Sequence, residues 1–384
     1  MSNKSAFAPF LFLFCLMPAL TVAQVYTVTD LGPLVPRAIN TWGQVVGEVN
    51  NKAAMWTSFG GRQSLGLLEG GTFSNATAIN DLGVVVGNAN APATLTGEDG
   101  SESCAELGQP FIWTSVTGMQ GLGVSAPLQH LILEGCRIYA YANDINIYGT
   151  VVGGNRDIET YKWGFEWTSS SGFSTLETDF QTAANGINNV GQEVVGQTSG
   201  AFLSELSHAA LWVSGGMTDL GTLAGGSTDF FHCSGANDIN DQDQIVGWST
   251  LSSATVACDD QDIASPVHAF LLNAGGAMQD LGALPADASS VANKVNFFGV
   301  IIGSSGNTVV YKDQVGGEVL QVIGRPFIWS EAGGMQNLNA LIPVHSGWVL
   351  ETANDINIWG QIVGRGTLNG SPQLHGFLLT PRFP

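Results

Sequence analysis

A short pattern that recurs along the chain constrains its fold more than any other feature of the sequence. The pattern, Ile-Asn-x-x-Gly-x-Val-Val-Gly with small variations, has seven copies, which are centred on Asn40, Asn80, Asn146, Asn188, Asn240, Asn296 and Asn357. The fourth copy carries one extra residue, which we interpret as a β-bulge, and the fifth has Asp243 in place of the first Gly. Recurrence of this kind is typical of repeat proteins, whose units bury their apolar faces against their neighbours.

Two further elements accompany the repeat. A short apolar run that usually ends in Trp, such as Phe111-Ile112-Trp113, follows every copy, and an Asp-Leu-Gly-like element, such as Asp219-Leu220-Gly221, follows the first six. The seventh copy lacks this last element, whereas Val28–Gly32 carries one alone before the first copy. A closed ring of sheets needs its first strand to complete its last sheet, so this offset favours a ring over an open solenoid.

The repeat predicts four strands, which end at Ile-Asn, at Val-Val-Gly, at Phe-x-Trp and at Asp-Leu-Gly. Alternating apolar residues and β-branched or aromatic enrichment support the strand assignment, and Asn followed closely by Gly predicts a tight turn. We therefore expect an all-β chain: a seven-bladed β-propeller of four-stranded antiparallel blades, with the N-terminal strand closing the last blade. Residues 24–384 would form this single domain.

At the level of motifs, the chain resembles the extracellular HAF repeat family, named for His-Ala-Phe, which is present here as His268-Ala269-Phe270. The stretch Gly216–Leu223 looks like the family's Gly-Met-x-Asp-Leu-Gly-Thr-Leu motif. The resemblance covers nearly the whole chain after residue 23, and it implies an exported repeat protein without known catalytic residues. Pro110-Phe111 and Pro326-Phe327 depart from the motif, so the His is not required in every blade.

The first 23 residues have the layout of a secretory signal peptide: Lys4, an apolar run from Phe7 to Leu20, and small residues ending at Ala23. We therefore expect a secreted protein, whether extracellular, periplasmic or on the cell surface. No later segment predicts a membrane span. The formal net charge of −20 argues against nucleic acid and anionic membrane surfaces as partners, because phosphates would be repelled.

The cysteines predict disulfides. Four of them follow the signal peptide, namely Cys104, Cys136, Cys233 and Cys258, and an even number on an export route predicts two bonds in one of three connectivities. Cys233 and Cys258 flank the inner hairpin of one predicted blade, so we pair them and assign the second bond to Cys104 and Cys136. A zinc site is the competing interpretation, but no Cys-x-x-Cys spacing supports it.

The long connections between predicted strands, among them those after Gly87, Gly247 and Gly303, all fall on one face of the disc, and binding residues are often found on such loops. The candidates for ligand contact in these connections are the aromatic residues Trp348, Phe230, Phe231 and Tyr139, together with His232. Exposed aromatic rings could stack on sugars or anchor a protein, although burial beneath the loops would explain them equally well.

Acidic residues form two candidate cation sites. Asp259, Asp260 and Asp262 could bind Ca²⁺, with a solvated loop as the alternative, and otherwise no cofactor is expected. Asp144, Asp238 and Asp355 recur in Ala-Asn-Asp-Ile-Asn on strands that would line the central channel, where they could bind a cation or act as acid and base. Hydrogen bonding at turns and strand ends would also account for them. His208, His268 and His375 share one repeat position, which indicates a structural role.

No nucleophile motif, phosphate-binding loop or dinucleotide fingerprint is present in the sequence. We therefore expect a monomeric, non-catalytic binding protein, secreted or at the cell surface, that presents its long-loop face to a glycan, a protein or an envelope component. The alternatives are a propeller-type enzyme acting on polysaccharide and a structural or adhesive surface component.

Overall fold

The computed structural model of the chain describes residues 26–382 except for 98–99, 124–138, 157–161, 177–180, 200–206, 226–231, 252–265 and 313–317. These residues form antiparallel β-strands joined by turns, together with one turn of 3-10 helix, Leu338–Ala340. In this part of the chain no helix has the length and apolar composition needed to cross a bilayer. The all-β class predicted from the sequence is confirmed.

The first strand, β1 (Tyr26–Gly32), precedes the first repeat. The first repeat forms β2 (Val35–Ile39), β3 (Val45–Val49), β4 (Lys52–Thr57) and β5 (Gly61–Gly66). The second forms β6 (Ser74–Ile79), β7 (Val85–Gly97), β8 (Gly100–Thr114) and β9 (Gly118–Gly121). The third forms β10 (Tyr139–Ile145), β11 (Val151–Arg156), β12 (Lys162–Thr168) and β13 (Gly172–Thr175).

The later repeats follow the same order. The fourth forms β14 (Gln181–Ile187), β15 (Val194–Ser199), β16 (Ser207–Val213) and β17 (Gly216–Gly221). The fifth forms β18 (Ser234–Ile239), β19 (Ile245–Thr250), β20 (Val267–Leu272) and β21 (Gln279–Asp280). The sixth forms β22 (Ser289–Val295), β23 (Ile301–Lys312), β24 (Glu318–Ser330) and β25 (Gly334–Asn337). The seventh forms β26 (Trp348–Leu350), β27 (Asp355–Ile356), β28 (Ile362–Leu368) and β29 (Leu374–Pro381).

In the first six repeats, neighbouring strands pair antiparallel in chain order, whereas in the seventh β26 and β27 both pair with β28, which pairs with β29. The described strands group into six sheets. The second and third repeats share one sheet because β8 and β10 form a single parallel pair, Gly108 opposite Tyr139. The seventh repeat takes its outer strand from the beginning of the chain: β1 pairs with β29, so that Asp30 lies opposite Phe377. This is the pairing that the displaced Asp-Leu-Gly element predicts.

The apolar core lies between the sheets of successive repeats. Phe111, Phe165, Phe270, Phe327 and Phe377, which occupy one repeat position, are fully buried. A cluster of the same kind packs the last repeat against the first, with Val363 and Leu378 on one side and Leu34 and Ile39 on the other. The hydrophobic effect therefore stabilises every inter-repeat contact in the same way, including the contact between the two ends of the chain.

Two expectations about local structure are wrong. The insertions after Gly87 and Gly303, expected as loops, extend the paired strands β7–β8 and β23–β24, because their residues continue the antiparallel register. The extra residue of the fourth repeat lies in the turn after Asn188, where the Asn188 N–H bonds Glu193 O one residue later than in the other repeats. The fourth repeat does have a register shift, but it lies in the first strand between Ala184 and Gly186, where other repeats have one too, for example between Ala236 and Asp238.

Candidate functional site

The Asn of each repeat motif links one repeat to the next. In six repeats its side-chain oxygen accepts the N–H groups two and four residues later, as Asn40 does with Trp42 N at 3.1 Å and Gln44 N at 3.0 Å. In the fourth repeat Asn188 Oδ1 accepts from Glu193 N, five residues later, at 2.7 Å. Its Nδ2 donates to the main-chain oxygen of the Asn in the following repeat at six of the seven positions within the described chain. Asn188 bonds Asp243 Oδ1 instead. The bond from Asn357 returns to Asn40 O at 3.0 Å, so the series connects the last repeat with the first.

Two residues before the Asn, the first strands carry a charged cluster made of Asp144, Asp238, Lys294 and Asp355. Lys294 Nζ lies 3.0 Å from Asp238 Oδ1 and 4.0 Å from Asp144 Oδ2. Each carboxylate also accepts a main-chain N–H from another repeat: Asp144 from Ile187, Asp238 from Val295 and Asp355 from Ile39. The cluster is therefore held in place by the strands of several repeats.

Burial and mutual interaction shift the proton affinities of this cluster. Burial raises the pKa of Asp355 to about 7, although Lys294 and the N–H of Ile39 act in the opposite direction. Burial likewise raises the pKa of Asp238. For Lys294, burial acts to lower the pKa, but Asp238, Asp144 and Asp355 outweigh it and hold the pKa well above its usual value. The ammonium is therefore charged at neutral pH, and Asp355 keeps its proton to a higher pH than an ordinary carboxyl group does.

The sequence analysis assigned no role to Lys294, although a comparison of the repeats shows that it differs from the acids at the same position. It stands in Ala-Asn-Lys-Val-Asn of the sixth repeat, where the third, fifth and seventh repeats have Ala-Asn-Asp-Ile-Asn. Asp144 and Asp238 thus lie within 4.0 Å of an ammonium group, and Asp355 interacts with it electrostatically. Within the described residues, no group of three His, Cys, Asp or Glu side chains is arranged to hold a metal ion.

Exposed apolar side chains follow the same turns. The residue two positions after the motif Asn is apolar and more than half exposed in six repeats, as Trp42, Leu82, Tyr148, Val190, Phe298 and Trp359. We call these six residues the apolar rim. The indoles of Trp42 and Trp359 are held by hydrogen bonds from Nε1 to Asp81 O and Thr41 O, at 2.9 and 3.0 Å. The rim lies on the short turns, not on the long connections where sequence reasoning sought a binding surface.

The recurring His residues are structural, as the sequence indicates. Each donates through Nδ1 to the carboxylate of an Asp-Leu-Gly element, as His208 does to Asp219 at 2.9 Å and His375 to Asp30 at 3.0 Å. The same Asp accepts the N–H of the following Gly, for example Gly221. In the second repeat Gln109 replaces the His and accepts from Gly123 N.

The aromatic and His candidates for ligand contact that the structure describes lie in different parts of the chain. Trp348 begins β26, is half-buried and packs edge-on against Phe377, with ring centroids 6.0 Å apart. Tyr139 begins β10 and is exposed, and His232 is buried. Phe230 and Phe231 lie outside the described residues. Their role as ligand contacts stays a prediction.

The cysteine and calcium predictions fall mostly outside the described residues. Cys233 is buried and disulfide-bonded. Cys104 lies on β8 opposite Ala93, in a strand and not in the expected loop. Cys136 and Cys258 lie outside the described residues, as do Asp259, Asp260 and Asp262, so both disulfide pairings and the calcium site stay predictions.

Comparison with known proteins gives little. No protein-family profile and no curated protein matches the chain. One solved structure that it resembles is described as "the putative gluconolactonase in protein family", with 11% sequence identity, a TM-score of 0.35, and coverage of 93% of this chain and 92% of that one.

This finding contradicts the prediction of a non-catalytic binding protein, because the matched structure is described as an enzyme. The expectation that the chain is not an enzyme is corrected with it. The likeness is too distant to transfer the activity of that protein, so the function of this chain has to be inferred from its own geometry.

Proposed function

We propose that the chain is a seven-bladed β-propeller. The support is the bond from Asn357 to Asn40, the β1–β29 pair, and the apolar cluster between the last and first repeats. In such a ring the first strands line a central channel, and the Asn turns and the apolar rim surround one of its mouths. Membership of the HAF repeat family, a signal peptide over residues 1–23 and export remain proposals from the sequence.

We further propose that this propeller is an enzyme of the acid–base type, acting on polysaccharide. The observation that carries the proposal is the convergence of three carboxylates on Lys294, one of which, Asp355, has a pKa of about 7. A carboxyl group with that pKa can both donate and accept a proton at neutral pH, which is what acid–base catalysis requires.

The chemistry of glycoside hydrolysis assigns roles to these groups. Protonated Asp355 would donate its proton to the leaving oxygen as the bond from the sugar carbon to that oxygen breaks. Asp144 would take a proton from the water whose oxygen forms the new bond to the same carbon. Lys294 would offset the negative charge of the cluster, because its ammonium lies 3.0 Å from Asp238 Oδ1 and 4.0 Å from Asp144 Oδ2.

Substitution of Asp355 by Asn tests the proposal, because Asn keeps the shape of the side chain and cannot transfer a proton. We expect Asp355→Asn to lower turnover on a polysaccharide panel by about 100-fold or more. Asp280→Asn is the matched control. Asp280 lies on β21, the fourth strand of its repeat, where it bonds His268, whereas the cluster lies on the first strands. Equal turnover in Asp355→Asn and the native chain would contradict the proposal.

A structural or adhesive surface component is the second candidate. It is favoured by the main-chain N–H that each of the three carboxylates accepts from another repeat. On this alternative the cluster joins blades and does nothing else. Asp355→Asn would then change stability alone, and no polysaccharide would be cleaved by the native chain.

A further inference from the structure

A cavity of about 400 Å³ opens between the first and seventh repeats, beside the apolar rim. Its wall includes Trp42, Trp56, Thr41, Thr380 and Gln361. No charged side chain lines it among the described residues. It is therefore a site of aromatic faces and neutral hydrogen-bonding groups.

This combination fits a sugar better than other ligands. A pyranose ring presents apolar C–H faces, which pack on indoles, and a rim of hydroxyl groups, which exchange hydrogen bonds with Thr, Ser and Gln side chains. An anionic ligand would find no cation here, and it would approach a chain of net charge −20. Gln361 Nε2 donates to Thr380 Oγ1 at 3.3 Å and has a second N–H, which a purely apolar ligand would desolvate.

The indole of Trp42 is already fixed for such contact. It is 74% exposed, yet its Nε1 donates to Asp81 O at 2.9 Å, which holds the ring in place. Trp359 lies next to the cavity wall, because its Nε1 donates to the main-chain oxygen of Thr41 at 3.0 Å. Rings that are ordered before binding lose little conformational entropy when a ligand stacks on them.

The cavity is also linked to the charged cluster through a short stretch of chain. Ile39 N donates to Asp355 Oδ2 at 2.8 Å, and Thr41 and Trp42 of the cavity wall follow two and three residues later. We propose that this cavity binds a neutral sugar unit of a glycan, with Trp42 as its stacking platform, and so forms a substrate-binding subsite. The subsite role rests on the proposed function, whereas the binding itself does not.

Binding of neutral oligosaccharides tests the inference directly. The purified chain would be titrated with glucan, xylan, mannan and chitin oligosaccharides, with calorimetry and tryptophan fluorescence as readouts. We expect one series to bind, Trp42→Ala to weaken that binding by about tenfold or more, and Trp42→Phe to restore part of it. Phe298→Ala is the matched control, because it removes an exposed rim aromatic from the sixth repeat, and it should bind within about twofold of the native chain.

The variant Asp355→Asn separates this inference from the proposed function. If Asp355→Asn binds the oligosaccharide like the native chain but does not cleave the sugar chain, the sugar site and the acid–base proposal are both supported. If it cleaves normally while Trp42→Ala fails to bind, the acid–base proposal falls and the sugar site stands. Absence of binding in every series, or equal binding by Trp42→Ala, would overturn the sugar site. Sedimentation that shows a dimer disrupted equally by Trp42→Ala and Phe298→Ala would overturn it too, because the rim would then bind a second copy.

Discussion

The repeats differ from one another in the charge of one side chain, the one that lies two residues before the motif Asn. The position two residues before the motif Asn is Ala38, Ala78, Asp144, Gly186, Asp238, Lys294 and Asp355 in chain order. Sequence reasoning found the three acids because they share one motif, and it missed Lys294 because only differences between copies reveal it. The proton affinities could not be predicted, since they depend on burial and on which charges the fold brings together.

The raised pKa of Asp355 makes a prediction about stability and pH. In the unfolded chain this carboxyl titrates near pH 4, so between about pH 4 and 7 the folded chain holds a proton that the unfolded chain has released. Raising the pH through this interval therefore lowers the free energy of unfolding. In Asp355→Asn the decline should be smaller, by up to about 4 kcal/mol, in urea unfolding at pH 4, 5, 6 and 7. Parallel pH curves for the two chains would contradict the assignment.

Lys294 makes a second prediction at this scale. Lys294→Met removes the ammonium 3.0 Å from buried Asp238 and leaves that carboxylate without its counter-charge, so we expect a loss of about 3 to 5 kcal/mol at pH 7. The double variant Asp238→Asn with Lys294→Met removes both charges and should recover part of the loss. Urea unfolding of the native chain, of the single variants Asp238→Asn and Lys294→Met, and of the double variant measures the coupling free energy between the two charges. Additive losses would show that the two groups do not interact.

At the scale of a strand, the last Gly of the repeat motif is explained by close approach. In the fifth repeat, a Cβ on Gly247 would lie 1.9 Å from Gly235 O of the preceding strand, beside the register shift between Ala236 and Asp238. The sequence predicted the strands and the short turns from apolar alternation and Asn-x-x-Gly. It did not predict the paired insertions, because strand pairing depends on partners and not on local pattern alone.

This close approach can be tested by adding one methyl group. Gly247→Ala should lower the free energy of unfolding by about 2 to 3 kcal/mol, because the two strands must separate or bend to admit the Cβ. Gly216→Ala is the control, since its added Cβ would lie 3.6 Å from Val213 O, an ordinary contact. We expect that variant to stay within about 0.5 kcal/mol of the native chain in the same denaturant series. A Gly247→Ala chain as stable as the control would contradict the packing described.

At the scale of the whole molecule, the sequence predicted more about architecture than about the working surface. The displaced element at Val28–Gly32 predicted the pairing with β29 because strand completion is a property of order along the chain. The choice of the long-loop face rested on loop length, which says nothing about which turns carry exposed indoles. Trp42 and Trp359 follow the motif Asn by two residues, so their place on the short turns was available from the repeat itself.

Joining the chain ends tests the architecture. A permuted chain that links residue 382 to residue 26 by a short Gly-Ser linker, and begins at Val116 in an exposed turn, should melt within a few degrees of the native chain. Deletion of Tyr26–Gly32 should lower the melting temperature strongly, because it bares the edge of β29 and removes buried Tyr26 and Leu31. Thermal unfolding followed by circular dichroism compares the three. A permuted chain that fails to fold would count against neighbouring ends.

The pairing of β1 with β29 also determines how late in biosynthesis the last sheet can form. Thr27 and Thr380, which share a hydrogen bond, are 353 residues apart, so the ribosome makes the first strand long before its partner exists. At about 5 to 20 residues per second the nascent β1 waits for roughly 20 to 70 seconds. During that interval its unpaired edge is open to any other strand in the cell, and a chaperone that shields Tyr26–Gly32 would raise the yield of native chain.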